Sequence, residues 1–148
     1  MSQLEFVRQV TPFSCGPACV QSLLACVRRE GICQDLLIKE LSARPNLGTD
    51  HETLARWCAS YLPIASVGED TYRQGVAIAN IRNPLSGNGH YVVLLHHDER
   101  LTRYYCPLVR RILILPTREL DWRNGSGTIS RWSINFALPS PNAKPIRS

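Results

Sequence analysis

The residues with the clearest chemical potential lie in Gln9-Val-Thr-Pro-Phe-Ser-Cys-Gly-Pro-Ala-Cys19. Cys15 stands where an extended approach turns into a helix. Pro12 disfavours helix at Thr11. Gly16 frees the backbone, and Pro17 suits a first helical turn, where its missing N–H costs nothing. Val20, Leu23, Leu24 and Val27 then recur at helical spacing. A thiol at a helix N-terminus faces free N–H groups and the positive end of the dipole, which favour its thiolate. Gln9 can bring a side-chain amide back to the same place. With the Cys15 N–H it would form a two-donor oxyanion hole. Position alone does not separate this nucleophile from a buried small hydrophobe, the reading given to Cys19 and Cys26.

A thiol nucleophile needs a base from elsewhere in the chain. There are four histidines. His90 opens an apolar run, His90-Tyr-Val-Val-Leu-Leu-His96, directly after Gly87-Asn-Gly89. A strand end beside a glycine loop suits a catalytic side chain, because glycine lets a substrate backbone come close. It equally suits a satisfied structural histidine. His51 falls in the first turn of a helix with no evident partner. His96 and His97 belong to an exposed hairpin turn.

The elements that position these residues follow from periodicity. Helices are expected from about Cys15 to Arg29, around Asp35 to Ala43 with Leu37 and Leu41 inward, and after Thr49. Thr49 with Glu52 reads as a capping box, and Leu54, Trp57, Cys58 and Tyr61 as the buried face that follows. Strands are expected at Val76–Ile81, His90–His96 (central), Leu101–Cys106, Val109–Leu115 and Thr128–Leu138. Thr117–Trp122 reads as a short helix or turn. Helices first and strands after describe one α+β domain over residues 1–140, with a proline-containing tail at 141–148. If His97–Arg100 is a four-residue connection, His96 faces Leu101 and His90 faces Pro107, with Cys106 beside it.

Composition narrows the classes. Of 148 residues, 44% are hydrophobic and 20% charged, and the formal net charge is +5. That suits a globular domain. The positive charges run no longer than the pairs Arg28-Arg29 and Arg110-Arg111, without interleaved aromatics, so no nucleic-acid groove is expected. No stretch approaches the roughly 20 apolar residues of a membrane helix, and residues 1–8 lack a signal peptide's apolar core. The six cysteines show no Cys-x-x-Cys pair and no zinc-ligand histidine spacing. The expectation is reduced thiols, a cytoplasmic location, no metal and no cofactor.

Gln9-x5-Cys15-Gly-Pro-Ala-Cys19, Gly48-Thr49 and Gly89-His90-Tyr-Val-Val-Leu-Leu together resemble the bacteriocin-processing C39 cysteine peptidases, bacterial papain-like domains. The resemblance spans roughly residues 6 to 107. It implies Gln9 as oxyanion donor, Cys15 as nucleophile and His90 as base. Family members carry an Asp-Pro that orients the histidine; here the dipeptide is Cys106-Pro107, so Cys106 fills the third position. Asp98, Glu99 and Asp121 are other acids to place. The resemblance implies a cysteine hydrolase, most simply a peptidase, with a peptide or acyl-donor substrate. The same acyl-enzyme could instead serve an acyltransferase. A C39-like binding domain without catalysis is a further alternative. Family peptidases commonly belong to ATP-driven exporters, so a separate transporter or carrier protein is a partner to consider.

Overall fold

The computed structural model describes residues 6–28, 33–45, 48–72, 75–82, 89–122 and 129–137, with 25–28 as backbone only. Three helices come first: α1 (Cys15–Arg28), α2 (Gln34–Glu40) and α3 (His51–Tyr61). Six strands follow: β1 (Ile64–Glu69), β2 (Ala77–Arg82), β3 (Gly89–His97), β4 (Leu101–Cys106), β5 (Arg111–Pro116) and β6 (Trp132–Phe136). They form one antiparallel sheet in the order β1-β6-β2-β3-β4-β5. This is the α+β architecture expected, helices before sheet.

α1 is the inner helix. Ala18, Cys19, Val20, Ser22, Leu23 and Leu24 are all buried, so it is enclosed on more than one side, against β3 and α2. The Ser22 hydroxyl turns back to the Ala18 carbonyl and accepts the Val7 N–H, so burying it leaves nothing unpaired. Leu37 and Leu41 of α2 and the turn after it are fully buried, as the spacing predicts. One apolar cluster fills the space between helices and sheet; Tyr91, Val93, Leu95 and Tyr105 supply its strand side. The other sheet face carries Val92, Leu94, Tyr104 and Cys106, covered by Leu120 and Trp122. β3 is therefore apolar on both faces, which is why its sequence reads as a continuous run.

Four expectations need correction. The cap of α3 is Asp50, not Thr49: its carboxylate accepts the Thr53 N–H at 2.8 Å and the Thr53 hydroxyl at 2.8 Å. Glu52 instead pairs with Arg56 on the surface. Tyr61 is exposed rather than core, and Trp57 is half-buried at the core's edge, its ring tilted 35° to that of Tyr61 while it donates its N–H to Glu40. Only Leu54 and Cys58 of that helix are fully buried. β1 was not expected at all. Finally, the β3–β4 register shifts at a bulge between Leu94 and His96, so His96 faces Arg103 and Val93 faces Tyr105. The extra residue moves Tyr91, rather than His90, to the position opposite Pro107. The expected loop at 124–127, the tail at 141–148 and most of the loop before His90 lie outside the described residues.

Candidate active site

The site forms where β3 and β4 part. The register set by Val93–Tyr105 puts Tyr91 opposite Pro107, which has no N–H and could offer Tyr91 only its carbonyl. Even that bond is not made, because the segment before α1 is wedged between them. The Pro107 carbonyl accepts the Gln9 N–H at 3.0 Å. The Tyr91 N–H donates to Cys15 Sγ at 3.4 Å. Cys15 thus sits at the first turn of α1, against the His90–Tyr91 peptide, 75 residues away in sequence.

His90 is buried, and its Nε2 lies 3.3 Å from Cys106 Sγ. The slot beside the histidine therefore holds Cys106, as the sequence anticipates, although by a different register. Asp98 is at the far end of the hairpin, exposed, and 2.7 Å from His96. Glu99 is exposed in the same turn. Asp121 accepts the Arg82 N–H through its carbonyl, at the end of β2 that pairs with Gly89.

Gln9 is buried and donates its side-chain N–H to the Thr11 carbonyl at 2.8 Å. Its amide oxygen has no partner among the described residues, and neither has the buried hydroxyl of Thr49. Thr49 lies beside Gly16: a Cβ on that glycine would stand 3.5 Å from the Thr49 hydroxyl oxygen.

The segment carrying Gln9 is held by a residue the sequence reading missed. Gln34, buried at the start of α2, accepts the Val10 N–H at 2.8 Å and the Ser14 hydroxyl at 2.9 Å. It donates to the Arg8 carbonyl and to Gln21. All four of its bonds are internal, so it works as a staple across the approach to Cys15. A glutamine in a first helical turn reads as solvent-facing, and nothing in its spacing signals otherwise.

The electrostatics differ from those of a helix N-terminus alone. Burial pushes the Cys15 thiol up to about 11, although the N–H groups of Tyr91, Gly16 and Cys15 itself pull the other way. The helix terminus acts with the expected sign and loses to desolvation. Burial likewise pushes His90 down to about 4. At neutral pH the two groups rest as thiol and imidazole.

Of the remaining histidines, His96 is exposed as expected. His97 is not: it is half-buried, with Nδ1 2.7 Å from the Thr102 hydroxyl. His51 also has partners. Its Nδ1 lies 2.6 Å from the Tyr91 hydroxyl, and its ring stacks on Trp132 at 4.0 Å. Cys15, Cys19, Cys33, Cys58 and Cys106 are free thiols. No group of metal-ligating side chains is assembled among the described residues. No helix among them is long and apolar enough to cross a membrane.

No known family model matches this sequence, and no curated protein matches it. A solved structure does: the crystal structure of a double-glycine-motif protease from an AMS/PCAT transporter, in complex with the leader peptide. The likeness has a TM-score of 0.65 at 14% identity and covers 91% of this chain and 93% of that one. The chain therefore has a C39-like, cysteine-peptidase fold, nearly end to end.

Proposed function

We propose that this protein is a papain-like cysteine hydrolase, most simply a peptidase, that works through an acyl-enzyme on Cys15. The observation that carries the reading is the wedge at the β3–β4 parting. It seats Cys15 at a helix start against the peptide of His90, with Gln9 tied to the strand end that bears Cys106.

The chemistry follows from the rest state. His90 Nε2 faces Cys106 and makes no hydrogen bond to Cys15 at rest; Nδ1 is the nitrogen left to serve Cys15, once the imidazole swings toward the sulfur. Imidazole in the Nε2–H form donates to the Cys106 sulfur and keeps Nδ1 bare as a base. Because both groups are neutral at rest, the proton moves from sulfur to Nδ1 as sulfur attacks the carbonyl. The oxyanion takes the Cys15 N–H and the second N–H of the Gln9 amide, the first being held by Thr11. The imidazolium returns its proton to the leaving amine, and water resolves the thioester.

The unpartnered Gln9 oxygen and Thr49 hydroxyl support a peptide substrate. Buried polar atoms without partners cost about 1–3 kcal/mol each, and an extended peptide backbone offers both donors and acceptors. The structural neighbour was solved with a leader peptide; a leader-bearing peptide, delivered by a separate transporter or carrier, is the corresponding substrate here. The reading carries a cytoplasmic location.

Intact-mass spectrometry with leader-type peptides and their thioesters tests it. An acyl adduct that maps to Cys15 and disappears in Cys15→Ala is the expected result. Undiminished cleavage by Cys15→Ala would overturn the assignment.

A further inference from the structure

Tyr91 touches the candidate nucleophile through its main chain and two other elements through its side chain. Its N–H is on Cys15 Sγ at 3.4 Å. Its hydroxyl donates to the Thr49 carbonyl at 2.7 Å, in the loop that caps α3. Since a carbonyl can only accept, the hydroxyl's proton is committed to Thr49. The contact with His51 Nδ1 at 2.6 Å is then a donation from an Nδ1–H to the phenol oxygen. His51 is in turn set flat against Trp132 of β6, with 13° between the ring planes. The Tyr91 ring covers Gly16, the residue after the nucleophile: a Cβ there would stand 3.3 Å from Tyr91 Cδ2.

We propose that Tyr91 is a positioning residue, its phenol clamped between His51 and Thr49 so that its peptide N–H stays aimed at Cys15 Sγ. The need is local. Tyr91 has lost the ladder partner that would otherwise fix its N–H, because Gln9 occupies the Pro107 carbonyl. β2 still pairs with Tyr91 on the other side, through Asn80; on the open β4 side, where the N–H points, the side chain supplies the restraint. The clamp also survives titration of His51, whose Nδ1–H is present in both the neutral ring and the imidazolium. The ionisable groups that bear on the sulfur are Cys19 of α1, Tyr91 of β3 and Cys106 of β4; His90 bears on Cys106.

The inference rests on Cys15 being the nucleophile, but its test does not require turnover. The rate of Cys15 alkylation by iodoacetamide is followed from pH 7 to 10 on the Cys15 peptide, by mass spectrometry. Loss of the clamp removes an N–H that favours the thiolate. Tyr91→Phe is therefore expected to alkylate about tenfold more slowly at a given pH, the equivalent of one pKa unit. His51→Ala is expected to slow it in the same direction, and His51→Asn, which keeps a donor N–H, to restore it. A merely structural role gives the opposite sign, since a loosened fold exposes the buried thiol and speeds alkylation. Faster or unchanged alkylation in both Tyr91→Phe and His51→Ala would overturn the proposal. If the peptidase reading alone were wrong, no acyl adduct would form while this order of alkylation rates persisted.

Discussion

Acid should destabilise this fold chiefly through His90. Burial lowers the imidazole from its ordinary 6.5 to about 4. Between those values the unfolded chain binds a proton that the folded chain refuses, so stability falls as pH falls. At about pH 4.5 the unfolded histidine is about a hundredfold protonated over neutral, while the folded one is still mostly neutral. The linkage integral from pH 7 then gives a loss of about 2.5 kcal/mol. The assay is urea denaturation of the wild type and of His90→Gln at pH 7 and at about pH 4.5. Gln cannot charge, so the wild type should lose about 2.5 kcal/mol more than the variant over this interval. Asp50 and Asp98, held low by hydrogen bonds, and His51 and His97, lowered by burial, are common to both chains and cancel. Equal losses in the two proteins would refute a buried, neutral His90, and with it the base at rest.

Cys106→Ala should change turnover less than about tenfold, under ~1.4 kcal/mol of barrier, and Cys106→Asp should raise the His90 pKa and leave activity equal or higher; steady-state kinetics and histidine NMR check both. Gln9→Ala should lower kcat by roughly 10²–10³-fold, as loss of one oxyanion donor does, while Cys15 alkylation persists. Gln34→Ala strips the partners from Val10 and Ser14 and should cost about 2–3 kcal/mol in chemical denaturation. Iodoacetamide at pH 7 should label exposed Cys33 before buried Cys15, by peptide mapping, the reverse of what a helix N-terminus alone suggests.

The apolar periods located α1, α2 and β2 through β6, because each such element shows its burial in its own sequence. β1 escaped because its faces alternate only between half-buried and exposed, which leaves no sharp period in Ile64-Ala-Ser-Val-Gly-Glu69. The cap of α3 slipped by one residue because Thr49 and Asp50 are both good caps; Thr49 went to the interior, where its carbonyl serves Tyr91. Gln9, Cys15, His90 and Cys106 were legible as types at a spacing. Their environment was not. Desolvation is a sum over neighbours that the fold brings together from distant parts of the chain, and no local pattern announces that it outweighs a helix terminus. Gln34 and the His51–Tyr91 pair were hidden for the same reason: a polar side chain shows its role only when its partners, 13 to 42 residues away, are in place.

β6 lies between β1 and β2, and among the described residues β1 has no other strand beside it. During synthesis the helices, β1 and the β2–β5 meander therefore emerge with a slot open in the sheet. Two unpaired edges wait for the last strand, so folding cannot finish in the order of translation. Until residues 132–136 arrive, Trp132 is also missing from beneath His51. The surroundings of Cys15 thus mature last, although Cys15 itself is made early. Pulsed hydrogen exchange should show β1 and β6 gaining protection together, and after the β3–β4 hairpin; protection of β1 ahead of β6 would contradict this sequence of events.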